Sequence, residues 1–258
     1  MNSIIAQREG NVGIIRFNRP EKFNSFNREM ALLLQDTLRS YGEDKSVRCV
    51  LITGEGKAFC AGQDLAEAID PNGYGIQKIV RDHYNPIIKL LRTLEKPVVC
   101  AVNGVAAGAG ANIAFACDII LSATSVNFIQ AFSKIGLVPD SGGTFFLPRI
   151  IGFQKAMALM MLGDKVSANE ALQLGMLYKV CADDQLQQDA MAIAVTLASM
   201  PTRGLWLTKK LLNESLSNTL EQQLKLEELM QAEAGETSDY KEGVNAFLEK
   251  RKPIFKGE

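Results

Sequence analysis

Three segments of the chain carry more glycine and more isolated polarity than a packed core requires. The first, Ala58-Phe59-Cys60-Ala61-Gly62-Gln63-Asp64-Leu65, follows a short apolar run. The second, Asn103-Gly104-Val105-Ala106-Ala107-Gly108-Ala109-Gly110-Ala111-Asn112, sits where a strand pattern gives way to a helix pattern. The third is Ile135-Gly136-Leu137-Val138-Pro139-Asp140-Ser141-Gly142-Gly143-Thr144. Turns of small residues that open a helix leave backbone N–H groups without carbonyl partners, and such groups hold an anion or a developing oxyanion. Asp140 stands ahead of a helix pattern, where a carboxylate serves either as an N-cap or as an acid/base. Neither glycine cluster fits GxGxxG with an acidic residue following in a βαβ unit, and no GxxxxGK[ST] occurs, so nucleotide-binding loops are excluded. The single histidine, His83, falls within a helix pattern and reads as surface or core filler. Five scattered cysteines without a CxxC pair exclude a disulfide framework and a zinc ribbon, and they suit a reducing compartment.

These segments need a scaffold, and the hydrophobic pattern supplies one. Residues 12–17 and 48–53 are short β-branched apolar runs and read as strands. Between them Met30, Leu33, Leu34, Leu38 and Tyr41 recur at helical spacing, and a second helix pattern covers about 76–94. Pro97 opens a further strand, Val98–Val102; the glycine turn, a helix through Ala116 and a strand at 118–123 follow. Alternating strands and helices predict an α/β domain with buried, largely parallel strands. After about residue 150 strand signals fade. Ser167-Ala-Asn-Glu170 has the form of a capping box with Gly175 as the stop, and 184–199, 202–216 and 219–234 read as consecutive helices. Met157, Met160 and Met161 read as core packing, and Leu220, Leu224, Leu229 and Met230 as an apolar stripe that needs a partner.

At 258 residues, with 47% apolar and 22% charged residues, the chain is long enough for one large core with a helical appendage. A net charge of −1 gives no basic excess for nucleic acid. The N-terminus lacks the basic-then-apolar order of a signal peptide. Residues 98–123 contain no Lys or Arg, but Asn103, Asn112, Asp118 and glycines 104, 108 and 110 break the run, so no membrane span is expected. A cytoplasmic protein is the expectation.

Taken together, the three segments, with Arg19-Pro20-Glu21-Lys22-Phe23-Asn24-Ser25-Phe26 before them and Phe247-Leu248-Glu249-Lys250-Arg251-Lys252-Pro253 after them, strongly resemble the crotonase (enoyl-CoA hydratase/isomerase) superfamily. The resemblance runs through almost the whole chain. It implies a spiral of ββα units with an acyl-CoA site over residues 1–183, and a C-terminal helical oligomerisation region over 184–258 that builds a trimer or a hexamer. It implies an acyl-CoA thioester as substrate, CoA arriving with it, and no metal or redox cofactor. The thioester carbonyl would sit between the backbone N–H groups of Gln63 and Ala109, donors that need no reorganisation as charge builds on oxygen. Lys22, Phe23, Phe247 and Lys250 would meet the CoA adenine and phosphates. Ala61, Asp64 and Leu65 would line the adenine region, and Gly110, Asn112 and Phe132 the acyl site.

The catalytic side chains then discriminate within the superfamily. The two hydratase glutamates map to Asn112 and Phe132, so the pair of carboxylates that holds and activates water is gone. Asp140 stands instead in Gly-Leu-Val-Pro-Asp-x-Gly-Gly-Thr, which resembles the ring-opening isomerase branch typified by the 1,2-epoxyphenylacetyl-CoA isomerase of phenylacetate breakdown. One carboxylate suffices for an isomerase, provided that burial among Phe132, Leu137 and Val138 raises its pKa against the opposing helix N-terminus. The expected activity is a double-bond shift or an epoxide opening with Asp140 as acid/base. The competing readings are a hydratase with Asp140 or Asn112 holding water, an aryl-CoA dehalogenase (whose branch has tryptophan where this chain has Phe132), and a catalytically silent acyl-CoA-binding scaffold. The acyl pocket is expected from residues around 66–92, which no motif fixes.

Overall fold

The computed structural model describes residues 2–258. Among these residues, ten strands divide between two sheets. The larger sheet is built from β1 (Ile4–Glu9), β2 (Val12–Phe17), β3 (Cys49–Gly54), β5 (Val98–Val102), β7 (Ile119–Ala123) and β10 (Lys179–Cys181), adjacent in that order. The smaller takes β4 (Ala58–Cys60), β6 (Val105–Ala107), β8 (Asn127–Ile129) and β9 (Lys165–Ser167). Only β1 with β2 and β8 with β9 pair antiparallel; the other neighbours run parallel. Successive strand pairs β3–β4, β5–β6 and β7–β8 each send their first strand to the large sheet and their second to the small one. Repetition of that step winds the chain into the expected spiral.

The large sheet is the core. Ile14, Leu51, Val99 and Ile119 lie in one register line across four strands. Every residue of β3 and β5 is buried, as a parallel sheet covered on both faces demands. The helix Arg28–Glu43 lays Met30, Leu34 and Leu38 into this core, and Leu186–Ser199 adds Leu186, Ala190, Ala194 and Ala198.

The helix expected over 76–94 is interrupted. Gly75–Lys78 is α-helical, Ile79–Tyr84 is a π-turn, and Asn85–Thr93 resumes the α-helix. Pro86 is the cause. It has no N–H for the carbonyl of Asp82 four residues back. The side-chain amide of Gln35 donates to that carbonyl instead, at 2.9 Å, and the Asn85 N–H reaches back five residues to Val80.

The C-terminal helices run Thr202–Glu214, Leu220–Glu236 and Ser238–Leu248. The second of these starts with a reciprocal capping box between Thr219 and Gln222. Buried Lys209 donates to the Leu91 carbonyl at 2.7 Å and pairs with Asp118 at 2.8 Å, which also holds Arg92 at 3.1 Å; this cluster ties the tail to the sheet end. The last residues fold back: the buried Asp239 carboxylate accepts from the N–H groups of Lys256 and Gly257 at 2.6 and 2.7 Å, and Arg48 donates to the Phe255 carbonyl at 2.8 Å.

Several expectations need correction. Strands do not end at residue 150, since β9 and β10 close the two sheets. Each has only three residues, too few for a visible alternation. Met161 is 66% exposed and does not pack in the core. Of the two readings of His83, surface or core, the structure supports the core: it is buried on the π-turn, its Nε2 is 3.3 Å from the Arg28 guanidinium, and burial lowers its pKa. All five cysteines are buried free thiols. No helix among the described residues is long and apolar enough to cross a membrane.

Candidate active site

The first glycine segment continues from β4, and the second surrounds β6 and starts the helix Ala109–Phe115. Because β4 and β6 are neighbours in the small sheet, their two turns abut. Gly62 lies at φ +96°, and a Cβ there would stand 3.0 Å from the Ala107 carbonyl oxygen and 3.6 Å from the Ala109 nitrogen. A Cβ on Gly110 would come 2.3 Å from the Cys60 carbonyl oxygen. Both glycines are therefore close-approach positions, required so that one turn can press against the other.

Two backbone N–H groups at the cavity have no carbonyl partner. Ala109 is the first residue of its helix, so its N–H has no carbonyl one turn back. Gln63 sits in an isolated bridge with Phe26: the Phe26 N–H donates to the Gly62 carbonyl at 2.7 Å and the Asp64 N–H to the Phe26 carbonyl at 2.8 Å. The Gln63 N–H between them is left over from that bridge. The Gln63 side chain is held at both ends, with the Tyr84 hydroxyl donating to its Oε1 at 2.9 Å and its Nε2 donating to Glu67 Oε2 at 2.9 Å.

Gln63, Ala109 and Asp140 line one cavity of about 190 Å³. Its remaining walls are almost wholly apolar, with Leu65, Ala68, Ile76, Ile79 and Val80 on one side and Phe132, Ile135 and Leu137 on the other. Ala68, Ile76, Ile79, Val80 and Tyr84 all belong to the 66–92 stretch expected to shape the acyl pocket. Asp140 is the only carboxylate among the lining residues.

Asp140 is not a helix cap. The helix it was expected to open begins at Gly143, and Gly142 is its N-cap without any side-chain cap bond. Ser141 and Gly142 turn through positive φ, +51° and +74°, between Asp140 and the helix, and Asp140 lines the cavity. Burial pushes its pKa above the ordinary carboxylate value; a hydrogen bond from Ser141 Oγ at 2.8 Å opposes the shift without cancelling it. Phe132 and Leu137 contribute to that apolar wall, whereas Val138, expected beside them, is 79% exposed and plays no part.

Asn112 lies behind the cavity wall, fully buried. Its Nδ2 donates to the Asp140 backbone carbonyl at 2.8 Å, and its Oδ1 accepts from Gln130 Nε2 at 2.8 Å. Gly143 makes room for it, since a Cβ there would approach Asn112 Nδ2 to 2.4 Å.

Of the other expected site residues, Ala61 and Leu65 line the same cavity and the rest stand farther out. Asp64 is engaged by Arg19 at 2.9 Å and caps the short Leu65–Ala68 helix through the Ala66 N–H. Gly110 packs on Cys60. Lys22 and Phe23 are exposed at the end of a single 3-10 turn. Phe247 is 83% exposed and lines a separate hollow with Pro201, Tyr240 and Phe255; Lys250, also exposed, lies just past the same helix. Within one chain, then, the structure gathers Gln63, Ala109, Phe132 and Asp140 but not Phe247 and Lys250. Sequence reasoning passed over Tyr84, although Pro86 two residues later signals the irregular turn that carries it.

Comparison with known proteins agrees with this architecture. Residues 7–258 match the family described as enoyl-CoA hydratase/isomerase. The chain belongs to that family. It is 47% identical to the 1,2-epoxyphenylacetyl-CoA isomerase of Escherichia coli K12, with 100% of this chain and 99% of the relative covered. It is 35% identical to the mitochondrial enoyl-CoA hydratase of Pongo abelii, over 98% of this chain and 87% of the relative. The solved enoyl-CoA hydratase of Bacillus anthracis superposes with a TM-score of 0.92 at 32% identity, covering 99% of this chain and 100% of that one. In this family setting the chain is an enzyme of acyl-CoA thioesters, and both isomerases and hydratases stand among its relatives.

Proposed function

We propose that the protein is an acyl-CoA isomerase with Asp140 as its single acid/base and the N–H groups of Gln63 and Ala109 as the oxyanion donors. The observation that carries this reading is the solitary carboxylate in an otherwise apolar cavity. Hydration requires a held, activated water and a proton delivered to the neighbouring carbon, and the family assigns that work to two carboxylates. Here Asn112 is committed to the Asp140 loop and Phe132 has no proton to give. An isomerisation needs only one carrier. The Asp140 carboxylate removes a proton from the carbon beside the thioester, the electron pair moves onto the carbonyl oxygen, and the two N–H groups hold the resulting enolate. Asp140 then returns the same proton at the far carbon of the dienolate, and the double bond ends in conjugation with the thioester. A raised pKa suits this shuttle, because a carboxyl group nearer neutrality both takes and gives the proton readily. Opening of an epoxy-aryl-acetyl thioester would use the same enolate stabilisation. The 47% identity to an epoxyphenylacetyl-CoA isomerase supports that substrate.

The remaining elements of the reading concern the ligand's far end and assembly. CoA enters as part of the substrate. Lys22 and Phe23 of one chain, and Phe247 and Lys250 from a neighbouring chain, would meet its adenine and phosphates in a trimer or a dimer of trimers.

The test compares rates on crotonyl-CoA, a 3-enoyl-CoA and an epoxy-aryl-acetyl-CoA. Isomerisation or ring opening should exceed hydration of crotonyl-CoA by a wide margin. Asp140→Asn should lose at least about a hundredfold in kcat, taking 10²–10⁴ as the contribution of a general base, with acyl-CoA affinity nearly unchanged. Hydration as fast as isomerisation would favour the hydratase. No turnover of any of the three would favour a silent acyl-CoA-binding protein.

A further inference from the structure

The π-turn places one side chain where the reaction outlined above has not used it. Tyr84 ends the turn Ile79–Tyr84, is buried, and lines the cavity with its ring tilted against Phe26 at 6.0 Å. Its hydroxyl makes one hydrogen bond, to Gln63 Oε1 at 2.9 Å. The other end of the Gln63 amide donates to Glu67 Oε2, and Glu67 Oε1 accepts from the Arg28 N–H at 2.9 Å. On the backbone side the same residue is fixed by its bridge to Phe26. Gln63 is thus gripped by its main chain from one direction and by its side chain from the other. A half-exposed glutamine in a surface loop would ordinarily rotate freely and let its peptide plane rock. Here the peptide plane that carries the N–H is held on its carbonyl side by Phe26, and the Tyr84 bond restrains the Gln63 Cα side of it through the side chain; a main-chain donor is effective only when it points at the place where charge will develop.

We propose that Tyr84 is a positioning residue for the oxyanion: its hydroxyl, acting through the Gln63 side chain, sets the direction of the Gln63 N–H toward the thioester oxygen. The inference rests on the oxyanion reading of that N–H. Its sequence origin is Pro86, which forces the wide turn that swings Tyr84 onto the cavity wall. π-Turns of this kind recur at functional sites. The hydroxyl stays protonated throughout, since burial holds the Tyr84 pKa well above that of free tyrosine, and it acts as a fixed donor and not as a proton carrier.

The experiment uses the full-length protein and a conjugated probe, 2,4-hexadienoyl-CoA carrying a ¹³C-labelled thioester carbonyl, whose stretching frequency falls when the oxygen is polarised. Wild type should lower that frequency on binding. Tyr84→Phe should bind the probe with similar affinity, recover much of the free frequency, and lose on the order of tenfold in kcat with little change in KM, a fraction of the 10²–10³ that removal of an oxyanion donor costs. Gln63→Met, which keeps the backbone N–H but breaks the side-chain bond, should do the same. The double variant should be no worse than Gln63→Met alone, because that change already removes the bond that Tyr84→Phe removes. An unchanged frequency in Tyr84→Phe, or losses that multiply in the double variant, would overturn the proposal. Absence of any shift in wild type would instead overturn the oxyanion reading of Gln63 and Ala109. Should Tyr84→Phe not fold, the Gln63→Met frequency decides alone.

Discussion

The side-chain amide of Asn112 donates to the backbone carbonyl of Asp140, 2.8 Å away across 28 residues of sequence. The family resemblance implies a hydratase glutamate at this position, and an amide does there what a carboxylate cannot. A carboxylate accepts and cannot donate, so it could not hold this carbonyl. Asn112 does hold it, and is itself oriented by Gln130 from behind. The amide thus supports the loop that presents the Asp140 carboxylate to the cavity.

Asn112→Asp keeps the shape and removes the donor. It leaves the Asp140 carbonyl facing a buried acceptor, and the expected cost is about 1–3 kcal/mol of stability, the range for an unsatisfied buried polar group. Denaturant unfolding measures this, and kcat should fall with it as the Asp140 loop loosens. A variant as stable and as active as wild type would show that the bond does not position the loop.

The raised pKa of Asp140 has a consequence for stability as well as for rate. A carboxyl whose folded pKa lies above its unfolded value, about 3.9, binds more protons folded than unfolded in the interval between the two. Stability therefore falls as pH rises through that interval, and at neutral pH the ionised group is a liability to the fold. Asp140→Asn removes it. The variant should melt above wild type at pH 7, and the difference should vanish below about pH 4. In the wild type, kcat/KM should fall on the acid side with an apparent pKa higher than an exposed aspartate's. An acid limb at the ordinary value would place Asp140 in water and not in the cavity.

What the sequence disclosed followed from length and burial. Strands β2, β3, β5 and β7 were legible because burial on both faces makes them continuous β-branched runs. The second sheet was not, since Ala58–Cys60, Val105–Ala107 and Asn127–Ile129 are three residues each and exist only by pairing with one another. Glycine placement, which reports close backbone approach, marked the three segments, and the family resemblance singled out Asp140, Gln63 and Ala109 within them. Tyr84 and the Gln130 behind Asn112 were missed: an aromatic or an amide in a helix or loop carries no mark of its hydrogen-bond partner. The helix Ser238–Leu248 and the returning tail were missed as well, because Asp239 caps the tail's N–H groups by contact and not by any spacing.

The abutting turns predict a contrast between two glycines. Gly110→Ala sets a Cβ 2.3 Å from the Cys60 carbonyl oxygen, backbone that cannot give way, so overpacking of about 1–3 kcal/mol or more is expected, with loss of activity as the turns separate. Gly235→Ala, within the helix Leu220–Glu236 and with nothing within 4 Å, should instead stabilise by about 0.5–1 kcal/mol. Equal effects at the two positions would mean that helix propensity, and not the fit of the turns, governs Gly110.

The C-terminal face gives the last prediction. Leu220 is 76% exposed, and Leu224, Leu229, Phe247, Leu248 and Ile254 are also exposed, an unusual amount of apolar surface for a chain that ends free in water. Yet this end is ordered, drawn back through Asp239 to Lys256 and Gly257. An ordered, apolar terminus fits a docked one. With the stoichiometry taken from the family resemblance, the solution mass should be three or six times the 28.2 kDa chain. Deleting everything from Gly243 onward would leave the buried Asp239 carboxylate without its partners, so that truncation tests folding of the tail more than ligand contact. Point variants separate the two. Phe247→Ala and Lys250→Ala should leave the melting temperature and kcat near wild type and raise KM for the acyl-CoA, Lys250→Ala more strongly at low salt, where a cation meets phosphate with less screening. A stable, active monomer, or an unchanged KM in both variants, would remove the case for a site shared between chains.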